Sequence, residues 1–305
     1  MRRYTPPMND PTPTLSTVST KPSPRGWRIV ACDLDGTLIG RDNQAHPTDV
    51  DALKRARAAG IHVAICTGRN TLECGTIVTA LDLSGPGVFA NGAMVSQMET
   101  GKSLMRTAFP TRLIAPVVDF LGTQGHAVLG LVDDPTSQRP AYWLTNHAPP
   151  HRATLEWQLH HKTHSRIVAD FPEEILPHVV RLSIVVNVAD GPALVTGLND
   201  RFGDALSLYS IYSTYFDCQV IEILHAGVSK WAGLLQLAAL LDVAPEQIVT
   251  IGDDVNDIEM LRGAALSFAM GNATPAIQQC AKRITLHQKE NGVAAAIDGI
   301  LNGDW

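Results

Sequence analysis

Two apolar runs, each ending in an acidic loop, constrain this chain more than any other feature. Ile29-Val30-Ala31-Cys32 runs into Asp33-Leu34-Asp35-Gly36-Thr37, and Ile248-Val249-Thr250-Ile251 runs into Gly252-Asp253-Asp254-Val255-Asn256-Asp257. A short run with no polar face reads as a strand buried on both sides, the habit of parallel sheets between helix layers. Carboxylates at the exits of two such strands gather at one end of the sheet, where ligands of open α/β folds bind.

The sequence around the first loop alternates strand and helix. Residues 28–32 read as a strand, and 48–59 place Val50, Leu53 and Ala56 at helical spacing with Gly60 as a stop. Residues 61–66 are a second strand ending at Thr67-Gly68-Arg69; a helix over 71–81 and a short strand over 88–90 follow, before Asn91-Gly92-Ala93. From 94 to 224 the rhythm changes, with candidate strands at 127–132, 141–144, 181–188, 206–212 and 219–224 and helices at 111–124 and 193–202. Alternation then resumes: helix 231–241, strand 247–251, a helix from 257–262, strand 265–270 and a last helix over 293–301. The expected fold class is α/β, a doubly wound parallel-sheet core (27–93 plus 225–305) with an inserted α+β cap domain (94–224) placed as a lid. Residues 1–26 hold Pro6, Pro7, Pro11, Pro13, Pro22 and Pro24 among Ser and Thr, which predicts a disordered tail.

At 305 residues and 45% hydrophobic content the chain can bury a sizeable core. Its formal charge of -6 argues against a nucleic-acid surface. An anionic substrate would therefore need positive charge concentrated locally. Cys32, Cys66, Cys74, Cys218 and Cys280 form no C-x-x-C pair, and Cys32 and Cys66 fall inside strand patterns, so they read as small buried hydrophobes. A reducing cytoplasmic location is expected. No apolar run approaches the roughly 18 residues of a membrane span, and the first residues lack the apolar core of a signal peptide.

The acidic loops carry the chemistry. A carboxylate at Asp33 can attack phosphorus and leave an acyl phosphate that water then cleaves. Asp35 is placed to protonate the leaving alkoxide and later to deprotonate that water. Gly36 lets the backbone approach a phosphate closely. D-x-D-G also opens a calcium loop, but the twelfth position, where a bidentate Glu is needed, holds Gln44, and a strand pattern precedes the loop. Asp253 reads as a further anchor for Mg2+, beside the Asp33 side chain and the Asp35 backbone oxygen. Asp254 and Asp257 are candidates to hold metal-bound water or a lysine; helix-start capping is the alternative reading of each. Thr67 and the Gly68 N–H stand where a second strand ends and can donate to phosphate oxygens. Lys230, in Gly227-Val228-Ser229-Lys230, would neutralise phosphate charge and restrain Asp33 beside Asp253.

The strings DLDGTL at Asp33, ICTGR at Ile65, ANGA at Ala90, GVSK at Gly227, GDDVNDIEML at Gly252 and AMGNA at Ala269 together resemble the haloacid dehalogenase superfamily, and more narrowly its Cof-like phosphatases. That resemblance implies a phosphorylated Asp33, an acid/base at Asp35, magnesium at Asp253, phosphate contacts from Thr67 and Lys230, and Asn256 near phosphate or substrate. It also implies an α/β cap after the third core strand. Relatives often carry an Asn-rich loop before Gly-Val-Ala; here the stretch is His287-Gln288-Lys289-Glu290-Asn291-Gly292-Val293-Ala294.

Within the cap, His147, His151, His160, His161 and His164 raise a second metal site, against which stands a polar cap surface without an acidic partner. Arg139, Tyr142, Trp143 and Arg152 are candidates to face the substrate. The sequence is thus expected to encode a magnesium-dependent phosphatase of a small phosphomonoester, a sugar phosphate or phosphorylated cofactor, with no nucleic-acid or membrane partner. A phosphomutase of the same fold and a catalytically silent phosphate-binding protein are the alternatives.

Overall fold

The computed structural model describes residues 26–134, 141–161, 165–213 and 215–304. The tail expected over 1–26 lies, up to residue 25, outside them, as do Arg139 and His164. Strand β1 (Ile29–Cys32) leads through the first acidic loop to α1 (Pro47–Ala58), β2 (His62–Ile65), α2 (Thr71–Ala80) and β3 (Pro86–Phe89). Then follow β4 (Met94–Gln97), β5 (Ser103–Arg106), α3 (Thr111–Thr123), β6 (Leu129–Val132), β7 (Ala141–Thr145) and α4 (Arg152–His161). Next come β8 (Ser165–Val168), β9 (Val179–Val186), α5 (Gly191–Phe202), β10 (Leu206–Ser213) and β11 (Cys218–His225). The chain returns through α6 (Lys230–Leu240), β12 (Ile248–Gly252), α7 (Ile258–Gly263), β13 (Leu266–Ala269), α8 (Pro275–Gln278), β14 (Arg283–Ile284) and α9 (Gly292–Asn302).

The core is a parallel sheet in the order β14-β13-β12-β1-β2, continued toward β3 by a parallel bridge between Cys66 and Val88. Strand alternation splits β1 between two layers. Val30 and Cys32 pack with Leu53 and Ala56 of α1 and Ile297 of α9, while Ile29 and Ala31 pack with Leu234 and Leu237 of α6. Burial on both faces is why the strand reads as an unbroken apolar run. The chain runs outward from β1 through β2 to β3 and from β12 through β13 to β14, so the order reverses between β1 and β12. That reversal opens a crevice at their carboxyl ends.

The cap is built on a six-stranded sheet, β10-β11-β9-β6-β7-β8, antiparallel except for the β7–β8 pair. One face packs Leu182, Ile184, Ile221 and Ile223 against Ile114 and Val117 of α3 and Leu194 and Leu198 of α5. The opposite face joins the core's own cluster through Leu129, Leu131, Tyr142 and Leu144. The architecture is therefore the expected one, a doubly wound core carrying an α+β cap.

Several elements escaped the sequence pattern. Strands β4 and β5 form an antiparallel sheet with β3, so the residues just after 93 are hydrogen-bonded to a core strand and not to the cap sheet. The short edge strand β8 exposes Ile167 at 70%, which removes the alternation that would reveal it. Helix α6 approaches the Asn91-Gly92-Ala93 turn closely. Gly92 has φ +94 and a Cβ there would overlap the Ser229 carbonyl oxygen, while one at Gly233 would lie 2.6 Å from Gly92 Cα. These two glycines let the first turn of α6 press against the end of β3.

Candidate active site

Parallel pairing aligns Cys32 with Ile251, so Asp33 and Asp253 leave neighbouring strands almost level. The Asp33 N–H donates to the Ile251 carbonyl at 2.9 Å and continues the ladder one residue past the strand. Lys230 is the first residue of α6, whose start is capped by Ser229 accepting from the Ala232 N–H at 3.1 Å. Its ammonium is fully buried, with Nζ donating to Asp33 Oδ1 and to Asp257 Oδ1, both at 2.6 Å. Asp33, Asp253 and Asp257 each present an oxygen within 4.8 Å of the others, and no second trio of potential metal ligands occurs among the described residues.

Three carboxylates around one ammonium leave negative charge in excess. Burial drives the Asp33 carboxyl well above the ordinary range; Lys230 pulls it down, and Asp257 and Asp253 push it further up. Asp253 is pushed up to about 7, by burial first and by the Asp257 charge second. Burial works against the charge on Lys230, yet Asp257 and Asp33 outweigh it and hold its pKa well above the usual value. The ammonium thus stays charged, and the unbalanced carboxylates are the group that a cation would relieve.

The donor set fits a hard divalent cation, which takes oxygen ligands. Both oxygens of Asp257 are already engaged: Oδ1 by Lys230, and Oδ2 by the N–H groups of Asp253 at 2.8 Å and Asp254 at 3.0 Å. Asp257 therefore organises the loop, its carboxylate held by one ammonium and two backbone N–H groups. Thr37 donates to Asp253 Oδ1 at 2.7 Å, and Asn272 donates to Asp253 Oδ2 at 3.1 Å and to the Gly36 carbonyl at 2.9 Å. Gly36 has φ +82, and a Cβ there would collide with the Asp253 carboxylate. Asp254 accepts from the Val255 N–H at 2.7 Å, the capping arrangement.

The other expected site residues lie around this cluster. Asp35 is half exposed and paired bidentately with Arg69, through Nε at 2.8 Å and through Nη2. Arg69 Nη2 also donates to Asn43 Oδ1 at 2.7 Å. Thr67 is buried one strand over, its N–H donating to the Val88 carbonyl at 3.0 Å and its Oγ1 accepting from the Arg69 N–H at 3.2 Å. Asn256 donates through Nδ2 to Asn91 Oδ1 at 3.0 Å. Gly68 sits against both: a Cβ there would lie 3.2 Å from Asn91 Oδ1 and 3.6 Å from Asn256 Nδ2.

The sequence pattern assigns no role to Thr37, Arg69, Asn91 or Asn272, although each lies in or beside a motif string. Arg181 and Glu222 come from cap strands β9 and β11 and carry no motif. Their one signal is a lone charge inside Val-Val-Arg-Leu-Ser-Ile-Val-Val and Val-Ile-Glu-Ile-Leu, which demands a partner once the strands are buried.

Among the described residues, the cap histidines His147 and His151 do not gather. His147 lies 3.4 Å from Asp170 and His151 3.4 Å from Asn187 in separate pairs; the His160 and His161 side chains fall outside the described set. Tyr142 points to the core, donating to Glu73 Oε2 at 3.2 Å, while its neighbour Trp143 alternates into the cap's own core. Arg152 is exposed and pairs with Glu156 at 2.5 Å.

Residues 30–297 match the haloacid dehalogenase-like hydrolases. The chain belongs to that family. This haloacid dehalogenase-like hydrolase is 29% identical over 269 residues to the 5-amino-6-(5-phospho-D-ribitylamino)uracil phosphatase YitU of Bacillus subtilis, covering 87% of this chain and 94% of the relative. It is 27% identical to the pyridoxal phosphate phosphatase YbhA of Escherichia coli, across 82% of this chain and 90% of that protein. A haloacid dehalogenase-like hydrolase of Bacteroides thetaiotaomicron has the same fold, with TM-score 0.72 at 23% identity over 90% of this chain and 99% of that one. A subclass IIB sugar phosphatase shares it at TM-score 0.73 and 19% identity, over the same fractions. The expectation of a Cof-like phosphatase with an α/β cap is met.

Proposed function

We propose that this hydrolase is a magnesium-dependent phosphatase of a small phosphorylated metabolite, acting through a phosphoaspartate at Asp33. The observation that carries the reading is the buried triad of Asp33, Lys230 and Asp257 at 2.6 Å contacts, with Asp253 in the same cluster. Asp33 attacks phosphorus, the P–O bond to the leaving group breaks, and Asp35 supplies the proton that the alkoxide needs. Asp35 then takes a proton from the water that attacks the acyl phosphate, releasing phosphate and restoring Asp33. Arg69 is bound to both Asp35 oxygens, so this contact must break before Asp35 can carry a proton to the leaving group. Lys230, Thr67 and the Gly68 N–H receive the phosphoryl oxygens, and Asn256 contacts phosphate or substrate beside them. Asp33, the Asp35 carbonyl and Asp253 would hold Mg2+, which when bound supplies charge neutralisation for the phosphoryl group. The six-stranded cap sheet and its helices act as a specificity unit over this site.

Relatives named for a ribitylaminouracil phosphate, pyridoxal phosphate and HMP-PP support a substrate with a compact ring or polyol. A screen of phosphorylated metabolites with magnesium, reading released phosphate, should find turnover of at least one such monoester. Phosphoryl return to a sugar without release would instead favour a mutase, and binding without turnover a silent protein.

Metal and proton compete for the same carboxylates. A carboxyl raised from 3.8 to about 7 by folding contributes stability below its unfolded pKa, and that contribution is lost as pH rises through 7. Metal-free protein should therefore lose stability between about pH 4 and pH 7 through this group, and magnesium should raise Tm more at pH 8 than at pH 5. Thermal melts with magnesium and with chelator check this; equal stabilisation at both pH values contradicts it.

A further inference from the structure

We propose that Arg181 and Glu222 of the cap, acting through Asn91, are positioning residues that set the orientation of Asn256 and of the Gly68 loop for phosphoryl transfer. The contacts form a continuous chain. Arg181 Nη1 donates to the Gly68 carbonyl at 2.6 Å and lies 2.5 Å from Glu222 Oε1. Glu222 Oε2 accepts from Asn91 Nδ2, and Asn91 Oδ1 accepts from Asn256 Nδ2 at 3.0 Å. Asn91 is fully buried, with Arg181 at 5% and Glu222 at 7% exposure. Solvent is therefore poorly placed to substitute for any member.

The direction of this chain follows from hydrogen-bond chemistry. A carboxylate only accepts, so Glu222 turns the Asn91 NH2 toward itself. Asn91 must then present its oxygen to Asn256, and Asn256 must answer with an N–H. The cap thereby decides which end of the Asn256 amide faces its neighbour and which atoms remain for the reaction. Asn91 cannot swing away, because its backbone holds the left-handed φ of +53 and its N–H donates to the Thr67 carbonyl at 3.0 Å.

Arg181 ties a third segment to the same point. Its Nη2 donates to the Tyr142 hydroxyl at 3.4 Å, Tyr142 donates to Glu73, and Glu73 accepts from the Asn70 N–H at 2.9 Å at the start of α2. Arg181 Nε is buried without a partner among the described residues. Burying this ion pair costs about as much as its attraction returns, and its net stabilisation comes from satisfying the Gly68 carbonyl and the Asn91 amide. What it adds besides is orientation, since the pair joins the cap sheet to both loops flanking Asn256.

This inference rests on the phosphatase assignment, so the test begins with the wild-type protein on a generic aryl phosphate and magnesium. Absence of wild-type turnover defeats the assignment and the relay with it. Given turnover, Glu222→Gln, which can donate as well as accept, should lower kcat by about 10- to 100-fold with less than about a threefold change in KM. The double variant Arg181→Met/Glu222→Leu removes both charges together but leaves the Gly68 carbonyl and the Asn91 amide unpaired, so it should melt below wild type while the folded protein shows the same loss in kcat. Glu222→Asp, still acceptor-only, should recover part of the rate lost in Glu222→Gln. Wild-type kcat in the double variant, or in a folded Glu222→Gln, overturns the relay while leaving the phosphatase reading in place.

Discussion

Replacing Asp33 by Asn should abolish phosphate release, lowering kcat on the order of 10⁴-fold or more, as removal of a nucleophile does elsewhere. The fold should survive. The amide oxygen introduced at that position can still accept from Lys230, and the ammonium keeps its second contact to Asp257 at 2.6 Å. The substitution also removes one of three crowded carboxylates, so metal-free Asp33→Asn should melt at or above the wild-type temperature. Loss of activity together with a lower Tm would mean that Asp33 serves chiefly to hold the fold. Circular-dichroism melts beside phosphate assays separate the two outcomes.

Lys230→Met should do the opposite to stability. It leaves Asp33 and Asp257 buried without their shared cation, and breaking a buried pair in this way typically costs about 3–5 kcal/mol. Because the buried Asp33 carboxyl escapes part of the penalty by taking up a proton, the deficit should shrink as pH falls. Activity should fall by about 10²- to 10³-fold even where the variant is folded, through loss of charge opposite the phosphoryl oxygens. Urea unfolding at pH 5 and pH 8 measures the first effect. A deficit that does not depend on pH would show that lost packing, not lost charge, governs this position.

The core was legible because its strands are buried on both faces and carry their chemistry immediately after the last apolar residue. Asp33, Thr67 and Asp253 each follow such a strand, and pairing of Cys32 with Ile251 brings the two acidic loops together. Lys230 was legible as a lysine opening an apolar helix. What sequence could not supply was partnership across hundreds of residues. The sequence offers Asp257 as a holder of metal-bound water or of a lysine, but nothing local says that it takes Lys230 together with two backbone N–H groups, or that Arg69 holds Asp35. The cap was harder still. Tyr142 and Trp143 are equivalent as sequence, and only the register of β7 sends the first toward the core and the second among the cap helices. Arg181 and Glu222 stand out in sequence only as lone charges in apolar runs, and their partners come from three-dimensional neighbours.

The decisive measurement is the stereochemistry of transfer from a phosphate monoester made chiral with oxygen isotopes to an alcohol acceptor. Attack by Asp33 followed by attack of the acceptor inverts phosphorus twice, so net retention is the predicted result. Net inversion would mean a single direct displacement, with no covalent stage at Asp33, and would contradict the account at its centre.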